Sequence, residues 1–197
     1  MLSPHRVRLP HQQAVLAAQL RLAAAEGRPV SLHGVQAHGV LFDAVSALWR
    51  GHERRLPSRR ERRASAVPGA DDDDGDPDGE EDREGPRPYP PRICLHSFSG
   101  SADLLGQWMN PSVPCAVFVS LSVAINLGSD AGRAKLDLVV RAVPDDRILV
   151  ESDLHTAGPP MDAALEEMYR AVCAAKGWAL EDGVRRIGDN FCRFVFG

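Results

Sequence analysis

Four short apolar runs, separated by segments with helical spacing, constrain the fold of this chain most strongly. The runs are PVSLH at 29–33, RICLH at 92–96, CAVFVSLS at 115–122 and RILVES at 147–152. Strands that are apolar throughout are typical of parallel sheets, and the helices between them supply the crossover connections and cover the sheet. The sequence therefore predicts an α/β fold with about four strand–helix units.

The segments between these runs have the apolar spacing of helices, and several end at a residue that stops a helix. Residues 12–26 end at Gly27, and the helical spacing after the third run ends at Pro144. The segment SADLLGQWM at 101–109 is a short helix that opens with a serine cap. Two helices follow the fourth run. The last of them is predicted to turn four apolar side chains inward: Val184, Ile187, Phe191 and Phe194.

A highly charged segment interrupts this pattern between the first and second strands. RGHERRLPSRRERR at 50–63 holds seven arginines, and DDDDGDPDGEEDRE at 71–84 holds ten acidic residues. Such charge, with Gly and Pro and without apolar periodicity, is typical of disorder. We therefore predict that residues 1–50 and 92–197 form the folded part and that 51–91 is a disordered insertion.

Three roles for this insertion stay open. It could be a solvated loop whose two charge blocks partly neutralise each other. Its arginine block could serve nuclear import or nucleic-acid binding, or the insertion could bind a protein partner. The net charge of −4 neither requires nor excludes a polyanionic partner.

No run approaches the ~20 apolar residues of a membrane span, and the first residues lack the apolar centre of a secretory signal. We expect no membrane segment and a cytoplasmic or nuclear location.

Potential metal ligands stand at the end of three of the four strands. His33 and His96 close the first two, and Asp153 follows the fourth. Sites assemble at the carboxyl ends of parallel strands, and imidazole nitrogen with carboxylate oxygen suits zinc, manganese and other divalent ions. The pattern predicts a metal site. The alternative is that each histidine packs locally, as a single histidine after an apolar run usually does.

Other polar residues near the strand ends have two interpretations each. His38 and His155 contact substrate or pack within loops. The segment HSFSG at 96–100 offers backbone amides to a phosphate, although short Ser/Gly turns are common. The four cysteines form no C-x-x-C pair, which indicates buried free thiols rather than a zinc or redox site.

In order along the chain, PVSLHGVQAHG, ICLHSFSG, RILVESD and DNFCRFVF resemble the closing half of TatD-type metal-dependent deoxyribonucleases. That family shows a histidine closing a barrel strand, an H-x-F-x-G element, an E-[ST]-D element and an asparagine near the end of the last helix. The segments VSLHGVQAHG and ESDLHTAG are most similar to a fungal branch of the family. The corresponding residues here are His33, His96 with Phe98 and Gly100, Glu151 with Ser152 and Asp153, and Asn190.

The resemblance implies a fold and a chemistry. The family fold is a TIM-type (β/α)₈ barrel, so this chain would be a partial barrel of about the last four βα units. Its implied activity is hydrolysis of DNA phosphodiester bonds with a divalent metal ion: zinc, manganese or magnesium. By resemblance, His33, His96 and Asp153 are metal ligands on barrel strands five, six and eight, and Asp153 is also catalytic, accepting a proton from the attacking water.

Two further elements of the family have no counterpart in this sequence: the H-x-H motif of the first strand and the glutamate of the fourth. A full barrel takes ~250 residues, more than the 197 here. The alternative to a hydrolase is therefore a non-catalytic interaction protein, which the fungal resemblance suggests could bind a cell-cycle ubiquitin-ligase subunit, or an incomplete gene model. An open partial barrel also exposes strand edges, which predicts a homo-oligomer that covers them.

Overall fold

The structure is a computed structural model that describes residues 7–57 and 87–197. In this part of the chain four strands are present: β1 (Val30–His33), β2 (Arg92–His96), β3 (Ala116–Ser122) and β4 (Ile148–Glu151). The helices are α1 (Leu9–Ala25), α2 (His38–Trp49), α3 (Ala102–Trp108), α4 (Asp130–Ala142), α5 (Pro159–Lys176) and α6 (Leu180–Phe196), with a π-helical turn at Val123–Leu127.

The four strands form one parallel sheet in the order β1-β2-β3-β4. Its register sets His33 beside His96 and Ser122 beside Glu151. Within the described residues β1 and β4 are edge strands, so the sheet does not close into a barrel. The predicted α/β fold of about four strand–helix units is confirmed, with the strands where the apolar runs lie.

Local sequence signals account for most helix ends. The Ser101 hydroxyl accepts a hydrogen bond from the amide of Leu104 at 3.3 Å and caps α3 as predicted. Gly177 ends α5 in the left-handed conformation, with φ of 70°, which glycine adopts without steric cost. α4 ends at Ala142, two residues before Pro144. Helix α2 was not among the predicted elements.

The hydrophobic core lies mainly on the face of the sheet that the helices cover. There, strand residues such as Ile93 and Val119 pack with Trp108 of α3 and Met168 of α5. The other face carries a small cluster formed by Cys94, Phe118 and Leu149, against which Phe194 of α6 packs. Most of the buried apolar surface therefore joins sheet to helices, and the second face is covered only in part.

The predicted inward face of α6 is wrong at two positions. Val184 is 44% exposed and Phe191 is 56% exposed. The buried positions are instead Gly183, Ile187 and Asn190. A Cβ on Gly183 would lie 2.1 Å from the sulfur of Cys173, so only glycine permits this approach of α6 to α5, and the buried face follows that contact rather than the largest apolar side chains.

The described ends of the predicted insertion contact the folded body. The amide of Arg54 donates to the carbonyl of Ser112 at 2.9 Å, and Tyr89 is buried. Residues 58–86, which hold most of both charge blocks, lie outside the described residues. Throughout the described part of the chain, every helix is too short or too polar to cross a bilayer.

The cysteines agree only in part with the predicted buried thiols. Cys94, Cys115 and Cys173 are buried, whereas Cys192 is exposed. Burial raises the pKa of Cys94 to about 11 and that of Cys115 to about 12. The prediction of a buried thiol is therefore wrong for Cys192, which lies next to the exposed Phe191 on α6.

Candidate metal centre

Three residues just beyond strand ends adopt the left-handed backbone conformation although none is a glycine. Gln36, Ser97 and Asp153 have φ of 52°, 43° and 56° and follow β1, β2 and β4. This conformation costs a non-glycine residue about 1–3 kcal/mol and tends to occur at functional sites. The carboxyl edge of the sheet is therefore where the chain holds an unfavourable geometry.

His33 and His96 lie against each other at this edge. Their ring centroids are 4.1 Å apart and their planes are inclined by 34°. The sheet register produces this contact, because the two residues are direct neighbours on β1 and β2 and point to the same face. Two imidazoles at this separation are placed to bind one ligand together.

Glu151 fixes the orientation of His96. Its Oε2 lies 3.0 Å from Nε2 of His96, and both side chains are 22% exposed. Because a carboxylate only accepts hydrogen bonds, Nε2 is the donor in this contact, which leaves Nδ1 as the ring nitrogen that can bind a ligand. Histidines that bind metals are commonly oriented in this way by a carboxylate.

Ser97 holds the Glu151 carboxylate in place. Oε1 of Glu151 accepts from the amide of Ser97 at 2.7 Å and from its hydroxyl at 2.5 Å. The same hydroxyl lies 2.9 Å from that of Ser122, and the amide also reaches the hydroxyl of Ser120 at 3.1 Å. The left-handed conformation of Ser97 thus directs both of its donors at Glu151.

The predicted phosphate cradle of HSFSG does not form at its first two amides. The amide of Ser97 binds Glu151, and the amide of Phe98 donates to the carbonyl of Ser120 at 3.0 Å. Both groups are occupied by the protein. Ser97 and Phe98 instead bind the strand end to β3 and β4.

Asp153 does not join the two histidines. It is exposed and makes no hydrogen bond or ion pair with a described residue. Across residues 7–57 and 87–197, no three His, Cys, Asp or Glu side chains are grouped closely enough to hold a metal ion. The donor chemistry of His33 and His96 fits zinc or manganese, but this pair alone is fewer than the three protein ligands of a catalytic zinc site.

His38 packs at the same edge. Its Nε2 lies 3.1 Å from the hydroxyl of Ser99, and its ring meets that of Phe98 at 5.2 Å. Burial lowers the pKa of His38 below its usual 6.5, and the charge of Lys135 lowers it further. These contacts fit the loop-packing interpretation, whereas His155 is exposed.

Comparison with known proteins identifies the family. A sequence model of the family described as TatD related DNase matches residues 3–196. The chain belongs to this family. A relative from Schizosaccharomyces pombe, named Cut9-interacting protein scn1, is 34% identical over 98% of this TatD-family chain and 53% of its own length. Another, named uncharacterized deoxyribonuclease YMR262W, from Saccharomyces cerevisiae, is 29% identical over 96% of the chain and 51% of its own length.

A solved structure agrees on the fold. An uncharacterized amidohydrolase from Saccharomyces cerevisiae superposes with a TM-score of 0.60 at 14% identity, over 94% of this chain and 60% of its own. The TatD-family chain thus spans about half the length of the curated relatives that it matches. This length agrees with the partial barrel seen in the sheet.

One element of the site could not be assigned a role from the sequence. Glu151 was named only through its place in the E-[ST]-D element, yet it orients His96. Side chains alternate between the two faces along β4, so the strand bounds alone place Glu151 on the same face as the histidines. There it lies directly across from Ser122.

Proposed function

We propose that this chain forms part of a metal-dependent phosphodiesterase site that hydrolyses DNA. The observation that carries the proposal is the contact of His33 with His96 at the carboxyl edge of the sheet, with Glu151 orienting His96. Membership of the TatD-related DNase family supports the substrate class. In this proposal His33 and His96 hold the ion, which is zinc, manganese or magnesium, and Asp153, which lies apart from the pair in the described structure, joins them as a ligand when the ion binds.

Each residue has a distinct task in the proposed mechanism. A divalent ion, when bound, supplies positive charge that polarises the phosphodiester and makes water more acidic. His33 and His96 bind that ion, and Glu151 keeps His96 in the tautomer that leaves Nδ1 unprotonated. Asp153 accepts the proton of the attacking water. Its exposure leaves it free to reach substrate and solvent at this edge.

Further ligands are required, and we propose that they come from protein outside the described residues. The relatives are about twice as long as the matched region, which is consistent with a site completed by another part of the barrel. Ser31 and His33 are exposed on the uncovered face of β1, and the outer edges of β1 and β4 lack a described partner strand. A second copy of the chain is one source of cover for these edges.

The alternative proposal is a non-catalytic interaction protein. Two observations favour it: the Schizosaccharomyces pombe relative is named as an interacting protein, and the described residues gather no set of three metal ligands. In that case the segment 51–91 is the proposed partner surface, and the protein acts in the cytoplasm or nucleus. A ubiquitin-ligase subunit of the cell cycle is the partner class proposed.

The decisive experiment measures degradation of single-stranded DNA by the purified chain with added manganese or zinc. Asp153→Asn is the test variant, because asparagine tolerates the left-handed backbone but cannot accept the proton. Asp162→Asn, an exposed aspartate in the first turn of α5, is the matched control. We expect activity that Asp153→Asn abolishes and Asp162→Asn retains. Equal activity in all three proteins would contradict the role of Asp153, whereas no activity in any of them would favour the interaction protein.

A further inference from the structure

A small pocket opens on the same edge of the sheet as the histidine pair. Its walls come from the segments that follow β2 and β3 and from the first turns of α4, and its volume is about 150 Å³. Pockets for drug-sized ligands measure ~300–1,000 Å³, so this one suits a compact group. The lining residues that matter here are Ser99, Gly100, Asn126, Ser129, Gly132 and Lys135.

The polar groups of this pocket favour an anion. Its lining residues include Lys135, Ser99 and Ser129 and no aspartate or glutamate. Asp130, in the first turn of α4, is not one of the lining residues. A cation flanked by hydroxyl donors matches the acceptor oxygens of a phosphate group.

The charge of Lys135 is not neutralised within the described part of the chain. Its side chain is exposed and forms no ion pair there. The charge of Lys135 acts on groups around the pocket, because it helps to lower the pKa of His38. Nε2 of His38 lies 3.1 Å from the Ser99 hydroxyl. Lys135 therefore leaves a positive charge at the pocket that an anion would compensate.

The backbone of the pocket adds to this potential and is held in place. Ser129 caps α4 by accepting from the amide of Gly132 at 3.1 Å, and both residues line the pocket, so the positive end of the 13-residue helix lies beside it. The buried Asn126 donates to the carbonyl of Phe98 at 2.8 Å and accepts from the amide of Ser122 at 2.9 Å. These bonds fix the turn after β3 to the turn after β2.

We infer that this pocket binds one phosphate group. This assignment rests on the proposed function: the phosphate belongs to the DNA strand. It is a neighbour of the phosphodiester attacked at the histidine pair, since both sites lie at the carboxyl edge of one sheet. Free inorganic phosphate is the other source of the same chemistry. Binding a neighbouring phosphate positions the strand for the attack.

The first arm of the test titrates the full chain with inorganic phosphate at constant ionic strength and follows backbone amides by NMR. We expect saturable shifts at Gly100, Ala131 and Gly132, and a roughly tenfold or greater loss of affinity in Lys135→Gln. Arg133→Gln, which removes an exposed charge from the same helix outside the lining, is the control and should change affinity less than about twofold. Equal weakening in both variants, or no saturation in the wild type, overturns the inference.

The second arm identifies the source of the phosphate. Binding of a short single-stranded DNA without added metal is measured for the same two variants and for Ser99→Ala, which removes a lining hydroxyl. Weaker DNA binding in Lys135→Gln and Ser99→Ala than in Arg133→Gln supports a DNA phosphate. If only inorganic phosphate binding is lost, the DNA assignment is overturned. If the wild-type chain binds phosphate at this pocket but does not degrade single-stranded DNA with added metal, the result counts against the proposed function and not against the phosphate site.

Discussion

Removing the Glu151 side chain should destabilise the fold as well as the site. In Glu151→Ala, Ser97 and His96 lose their carboxylate partner. The Ser97 amide keeps the Ser120 hydroxyl, and the Ser97 hydroxyl keeps that of Ser122, so neither donor is left buried without a partner. The net loss is therefore close to one hydrogen bond to a charged group, or about 2–3 kcal/mol.

Thermal unfolding followed by circular dichroism measures this loss. For a chain of 150–250 residues, 1 kcal/mol corresponds to about 2–4 °C, so Tm should fall by about 4–12 °C in Glu151→Ala. The matched control is Glu166→Ala, because Glu166 is a 61% exposed glutamate whose ion pair with Arg170 spans one helical turn. Such pairs contribute about 0.3–0.5 kcal/mol, or less than about 2 °C. Equal shifts in the two variants would refute the assigned role of Glu151.

Three further predictions concern Asn190, two of the cysteines and His38. Asn190→Ala should cost about 1–3 kcal/mol in chemical denaturation, because its amide donates to the carbonyls of Asp145 and Ile148, and a loss below 0.5 kcal/mol would contradict this. A thiol reagent should modify the exposed Cys192 within the native protein far faster than the buried Cys94, whose raised pKa also disfavours the thiolate; similar rates would argue against the packing. Lys135→Gln should raise the pKa of the His38 ring in an NMR titration, and an unchanged value would contradict the charge coupling.

The strands were predictable because their signal is local. Each apolar run is short, bounded by turn residues and ends in a polar residue, so the bounds of β2 at 92–96 match the run. Helix α2 lacked such a signal. Its sequence, HGVLFDAVSALW, has Gly39 in its first turn and is apolar around most of its circumference, so helical periodicity is weak even though Val45 and Trp49 are buried.

The histidine pair was predictable and the rest of the site was not. Strand ends identified His33 and His96, and parallel pairing made them neighbours. The sequence could not predict that Ser97 would adopt a left-handed conformation, because this depends on donors meeting Glu151 from another strand. Nor could it predict the exposed face of α6, which is set by the close approach of Gly183 to Cys173.

The most direct test of the metal site is a calorimetric titration of the chain with zinc. If His33 and His96 bind the ion, the wild type shows a saturable isotherm, and His96→Ala and Asp153→Ala each weaken binding at least about tenfold, since each removes a ligand. His11→Ala, which removes an exposed histidine of α1, should leave the isotherm unchanged. Unchanged affinity in both His96→Ala and Asp153→Ala would contradict the metal centre.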